Sequence, residues 1–157
     1  MATTARHLHD EDFYAWTQAQ AAELRRFAES RPNLPLDLDL IADELEDLGM
    51  SERNAVVSLV RLIIQHLLLA SHSPAADLHR QHWLDEIDEF RSQVEDKLTL
   101  SIRRDLEAEL AATYTRARRN VARKMRRYGE DAAATALPEA CPYTLDQILG
   151  DWEPGAG

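Results

Sequence analysis

The sequence predicts an all-α fold, a compact bundle of five main helices closed by a short C-terminal one. Apolar residues recur at three- and four-residue intervals through most of the 157-residue chain. No run of alternating β-branched and polar residues occurs with hairpin turn chemistry. The composition, 45% hydrophobic and 29% charged with six prolines and five glycines, is that of a chain that folds. One helical domain is expected over residues 10–150, with 1–9 and 151–157 as flexible termini.

The first helix is expected near 11–28, where Asp10, Glu11 and Asp12 suit the positive end of a helix dipole. Phe13, Trp16, Gln20, Leu24 and Phe27 follow at helical spacing. Pro32 and Pro35 force a turn. Asp37 caps a second helix near 38–48, with Leu38, Ile41, Leu45 and Leu48 facing inward and Asp39, Asp43, Glu46 and Asp47 opposite them. Gly49 reads as its stop, and Ser51 as the cap of a third helix near 52–70. That helix is apolar around most of its circumference, through Val56, Leu59, Val60, Ile63, Leu67 and Ala70, and is expected at the centre.

Ser73 and Pro74 open a fourth helix near 75–98, with Trp83, Ile87, Phe90 and Val94 inward. Ser101 caps a fifth near 102–128, stopped by Gly129, with Leu110, Tyr114, Val121, Met125 and Tyr128 inward. Beyond Pro138 and Pro142, Thr144 and Gln147 form a capping box, and Tyr143 and Ile148 occupy the two positions of a hydrophobic staple, so a short helix is expected near 145–149. Val60, Ile63, Leu67, Trp83, Phe90 and Val121 are the expected common core.

Acids outnumber bases, 28 to 18, for a net charge of −10. The averaged field therefore repels phosphate backbones and anionic membranes. Cys141 is the single cysteine, so no intramolecular disulfide can form, which suits a reducing compartment, and a cytoplasmic location is expected. The first ten residues lack the apolar run of a signal peptide, and the longest apolar stretch, 62–70, is interrupted by Gln65 and His66. Membrane association is not expected.

Four segments resemble a known family. They are the opening Asp12-Phe13-Tyr14-Ala15-Trp16-Thr17, the stretch from Ile41-Ala42-Asp43-Glu44 through Gly49 to Ser51-Glu52, His66-Leu67-Leu68, and Cys141-Pro142-Tyr143-Thr144-Leu145. Together they resemble bacterial domain-of-unknown-function family 29 over residues 10–149. The resemblance implies a compact all-helical bacterial protein and brings no activity, cofactor or catalytic residue with it. The Ala-rich connection near 132–136 departs from the family pattern by its length.

Residue constellations that could carry chemistry each have a plain alternative. Asp43, Glu44, Glu46 and Asp47 would need a Glu-x-x-His partner to build a bundle metal centre, and none occurs. His79, His82 and Glu86 have cation-sharing spacing, but His79 falls on the inward stripe and the other two on the rim. No metal and no cofactor are expected. Cys141 precedes Pro142, which restricts it to extended geometry, so it reads as a structural cysteine, with a modest lowering of its thiol pKa by the helix after Thr144 as the alternative. Gly-rich phosphate loops, Gly-x-Ser-x-Gly and His-Glu-x-x-His are all absent.

Arg61 and His66 resemble the Arg-x(4–6)-His signature of the small all-helical ribonucleases of the higher-eukaryote-and-prokaryote nucleotide-binding superfamily. In those proteins the histidine acts as an acid or base on the RNA ribose. A five-residue offset on a regular helix points the two side chains apart, so a hydrogen-bonded core histidine is the favoured reading of His66.

The charge is unevenly spread. Residues 1–100 carry nine bases and nineteen acids; residues 101–157 carry nine of each. Arg116, Arg118, Arg119, Arg123, Lys124, Arg126 and Arg127 fall within twelve residues that hold no acid. Arg116, Arg119, Arg123, Arg126 and Arg127 are expected to form a basic stripe beside the inward face. Such a stripe can grip phosphate, neutralise the chain's own acidic second helix, or dock an acidic partner. The sequence favours a non-enzymatic module that binds a protein or itself, with nucleic acid disfavoured by the net charge. The alternative is a small nucleic-acid-binding, ribonuclease-like or antitoxin-like protein using Arg61 and His66 or the stripe.

Overall fold

Asp12 separates the first two helices of a chain whose described residues, 2–155 of the computed structural model, form seven α-helices and no strand. These are α1 (Ala2–Glu11), α2 (Phe13–Ser30), α3 (Leu38–His72), α4 (Ala76–Lys97), α5 (Leu100–Arg127), α6 (Asp131–Ala136) and α7 (Leu145–Leu149). The protein is all-α, as its periodicity predicts. The helix count differs from expectation in three places: α1 precedes the first expected helix, α6 occupies the Ala-rich connection, and the second and third expected helices are one.

The chain packs as two compact units, Met1–Ala55 with Leu98–Arg104, and Val56–Lys97 with Asp105–Gly157. In the first unit, Asp12 leaves helical geometry (φ −146°, ψ 80°), and its side chain accepts from the Ala15 amide at 3.0 Å to cap α2. His9, Phe13 and Trp16 form an aromatic cluster across the α1–α2 break, with the His9 ring edge-on to Trp16 at 4.7 Å.

Gly49 does not stop a helix. It lies inside α3 with no positive φ, and a Cβ built there would fall on the Thr17 hydroxyl of α2. A helix-interior glycine costs about 1 kcal/mol; the close approach of α2 requires it. The same approach moves the buried face. Ile41 and Leu48, expected inward, are 45% and 52% exposed, while Leu38, Ala42 and Gly49 are buried. α2 likewise buries small residues, Thr17 and Ala21, rather than its aromatic stripe. Small side chains set the helix spacing here, and the larger ones are left at the edges. Arg25 spans to α3, pairing Glu46 at 2.5 and 2.9 Å and Asp43 at 2.6 Å. Hydrogen bonding from Arg25 lowers the Glu46 pKa.

In the second unit, Val56, Val60, Ile63, Ile64, Leu67 and Leu68 of α3 are completely buried, joined in the core by Trp83, Ile87 and Val94 of α4 and by Leu106, Tyr114, Val121 and Met125 of α5. α3 is long and apolar enough to cross a membrane by length and composition, and 44% of its most apolar window is buried inside the fold. Phe90 is only half-buried, so it stands at the margin of the expected core. The C-terminal segment is tied down by two half-buried arginines. Arg91 donates to the carbonyls of Ile148, Gln147 and Trp152 at 2.8–3.0 Å. Arg80 donates to those of Ala70 and Pro154.

Local end signals form largely as expected. Thr144 and Gln147 make the complete capping box of α7, and Tyr143 and Ile148 are buried. Gly129, at φ +78°, closes α5: its amide bonds the Arg126 carbonyl, and that of Glu130 bonds Met125. The N-terminus of α5 differs. Thr99, not Ser101, caps it, with the Thr99 hydroxyl accepting from the Ile102 amide, because Ser101 is engaged by Asp12.

Candidate binding site on helix α5

The C-terminal half of α5 carries the molecule's concentrated positive charge. Tyr114, Ala117, Val121 and Met125 point into the core. Arg116, Arg119, Arg123, Arg126 and Arg127 are all exposed. At 100° per residue these arginines lie nearly opposite the buried face, not beside it as expected. The difference matters chemically, since a stripe directed straight outward is fully available to a ligand. Among the described residues none of these arginines, nor Lys124, has a carboxylate within ion-pair distance. Asp43 and Glu46 of the acidic stretch are instead taken by Arg25. Arg118 leaves the run: half-buried, it donates to the Leu137 carbonyl at 3.1 Å.

Two depressions flank this half of α5. One, of about 330 Å³, is lined by Gln65, Asn120, Arg123, Lys124, Arg127 and Tyr128. The other, of about 530 Å³, has Leu69, Trp83 and Met125 as an apolar floor, with His79, His82, Lys124, Tyr128 and Glu130 around it. Lys124 and Tyr128 line both. Tyr128, expected inward, is 73% exposed, because the turn at Gly129 ends α5 before that residue is covered. Tyr128 is the one aromatic the sequence places beside the basic run, whereas Lys124 lies outside the five-arginine stripe and Trp83 is expected only as a core residue. Their signal is faint: an aromatic beside the basic run at a helix end, and a tryptophan one turn beyond His79.

Of the other candidates, His66 is held in structural bonds. His66 is half-buried, its Nδ1 2.8 Å from the Leu62 carbonyl and its Nε2 2.8 Å from Glu86. Both ring nitrogens are thus engaged within the fold, and Phe90 meets the ring edge-on at 5.4 Å. Arg61 Nε is buried without a hydrogen-bond partner. Glu86 also approaches His82 at 3.7 Å, whereas His79 lies against Trp83. Among the described residues no group of three or more His, Cys, Asp or Glu is placed to hold a metal ion. Burial raises the Cys141 thiol pKa, and the thiol donates to the Tyr143 carbonyl at 3.3 Å. The net shift is upward, the opposite of the lowering that the nearby helix could have produced, and it suits a structural cysteine.

No curated protein matches the chain. A crystal structure described as an alpha-helical protein of unknown function from Rhodospirillum rubrum superposes with a TM-score of 0.77 at 29% identity, covering 91% of this chain and 89% of that one. Residues 8–153 match the family described as domain of unknown function DUF29. The segments singled out in the sequence lie within that span, and the chain belongs to the DUF29 family.

Proposed function

We propose that this domain is a binding module that engages an acidic protein surface through the exposed C-terminal half of α5. One observation carries the reading: Arg116, Arg119, Arg123, Lys124, Arg126 and Arg127 stand without ion-pair partners among the described residues of a chain whose net charge is −10. Basic residues in the last turn also favour the helix dipole, but only by about 0.3–1 kcal/mol each, and only within that turn. Helix stabilisation therefore does not account for Arg116 and Arg119. The net charge of −10 opposes every polyanion, and it opposes a nucleic-acid backbone, with its denser charge, more strongly than a sparsely acidic protein surface.

The test compares the native protein with the Arg119→Glu, Arg123→Glu, Arg126→Glu triple variant. Near 150 mM salt, where the Debye length is about 8 Å, an Asp/Glu-rich peptide is retained by the native protein and lost by the variant. Nucleic acid is retained by neither. A second reading, single-stranded nucleic acid, is favoured by the exposed Tyr128 beside the stripe. Salt-sensitive RNA or DNA binding abolished by the same substitutions would install it in place of the first.

A further inference from the structure

We infer that the partner docks as a short extended acidic segment carrying one bulky apolar residue, which enters the cavity floored by Leu69, Trp83 and Met125. The inference rests on the reading of α5 as a surface for acidic protein, and it names what that surface selects. Arg116 and Arg127 are eleven positions apart, about 16 Å along the axis at 1.5 Å per residue. That is the reach of about five extended residues at ~3.3 Å each. A single small anion would leave most of the stripe unused, whereas a run of carboxylates matches it.

Charge alone discriminates poorly between acidic segments, because exposed ion pairs contribute little and are screened by salt. The cavity supplies what the stripe lacks. Its volume of about 530 Å³ admits a large side chain, and its floor residues Leu69, Trp83 and Met125 are at most 8% exposed. A polar group pressed onto that floor would exchange its hydration for apolar contact with Leu69, Trp83 and Met125. An aromatic or branched aliphatic side chain would exchange water for packing, in the manner of a central anchor within a charged rim. Lys124 and Tyr128 line both depressions, so a segment crossing them keeps its anchor in one and its carboxylates over Arg123 and Arg127 in the other. Glu130 stands at the anchor's cavity and repels carboxylates there, which fixes which end of the surface takes the apolar residue.

The experiment uses the full chain and three dye-labelled peptides read by fluorescence anisotropy: Phe flanked on both sides by Asp and Glu, the same peptide with Ala for Phe, and the Phe peptide with Asn and Gln for its acids. The Phe-acid peptide should bind at least about ten-fold tighter than the Ala-acid peptide. Ala75→Phe, which fills the cavity from its lining, should remove that advantage, and Arg123→Glu with Arg127→Glu should weaken both acidic peptides. If Ala75→Phe disturbs the fold, the Trp83 emission of a Trp16→Phe, Trp152→Phe variant gives a second reading, shifting with the Phe-acid peptide and not with the Ala-acid one. Equal affinity for the two acidic peptides, both lost on arginine reversal, overturns the anchor and leaves the acidic surface standing. Binding of the Phe peptide regardless of its acids, and indifferent to arginine reversal, overturns the acidic surface. No binding of any peptide overturns both.

Discussion

Ser101 donates both its backbone amide, at 2.8 Å, and its hydroxyl, at 2.6 Å, to the carboxylate of Asp12, eighty-nine residues earlier in the chain. The same carboxylate accepts from the Ala15 amide at 3.0 Å. One buried side chain thus satisfies otherwise orphaned donors at the starts of two helices, α2 and α5.

Asp12→Ala is expected to lower stability by about 1–3 kcal/mol in denaturant unfolding at neutral pH. Burial raises the Asp12 pKa, but the hydrogen bonds from Ser101, Ala15 and Thr99 outweigh it, and the net shift is downward from the usual 3.8. The folded value lies below the unfolded one, so this contribution is fully present above about pH 5 and fades as pH falls through the unfolded and then the folded pKa. The native protein should lose stability between pH 5 and pH 3 more steeply than Asp12→Asn. Parallel acid profiles would refute the assignment.

Gly49→Ala should destabilise, although glycine to alanine inside a helix ordinarily gains about 1 kcal/mol. The new methyl group meets Thr17 Oγ1, so overpacking of about 1–3 kcal/mol governs. Pairing it with Thr17→Ala should recover most of the loss in a double-mutant cycle. A plain gain in melting temperature for the single variant would show that α2 and α3 do not approach so closely.

Arg91→Met should leave the α4 helix intact and free the C-terminal segment, because three backbone carbonyls between residues 147 and 152 lose their donor. The expected cost is about 2–4 kcal/mol, since hydrogen bonds to a charged group are among the stronger ones. Hydrogen exchange should quicken over 145–152 before it does elsewhere. Uniform acceleration along the chain would point instead to a global effect.

Cys141 should alkylate slowly. Burial raises its thiol pKa, and the thiolate is the reacting form. Near pH 8 its modification by iodoacetamide should lag that of free glutathione by more than about ten-fold, and the lag should vanish in denaturant. Reaction as fast as the free thiol would show that the cysteine is open and activated.

The all-α class, the end of α5, the cap of α7 and the existence of a basic stripe were determined by the sequence alone, because each depends on residues within a turn or two of one another. The turn at Gly129 closes a helix, with the Gly129 amide bonding Arg126 and the Glu130 amide bonding Met125, and Thr144 pairs with Gln147; neither needs a distant partner. Tertiary structure decided what depends on neighbours far along the chain. Gly49 reads locally as a stop until Thr17 is brought against it. Ser101 reads as a cap until Asp12 takes its donors. His66 reads as a hydrogen-bonded core histidine, but its partner Glu86 is known only once α4 packs against α3. The site followed the same division: the arginines of α5 could be named from their spacing, but the cavity beside them required α3 and α4 to bring Leu69 and Trp83 next to Met125. Periodicity specifies which side chains share a face, whereas packing determines which face is covered, because small residues such as Ala42 and Gly49 let helices approach where larger ones hold them apart.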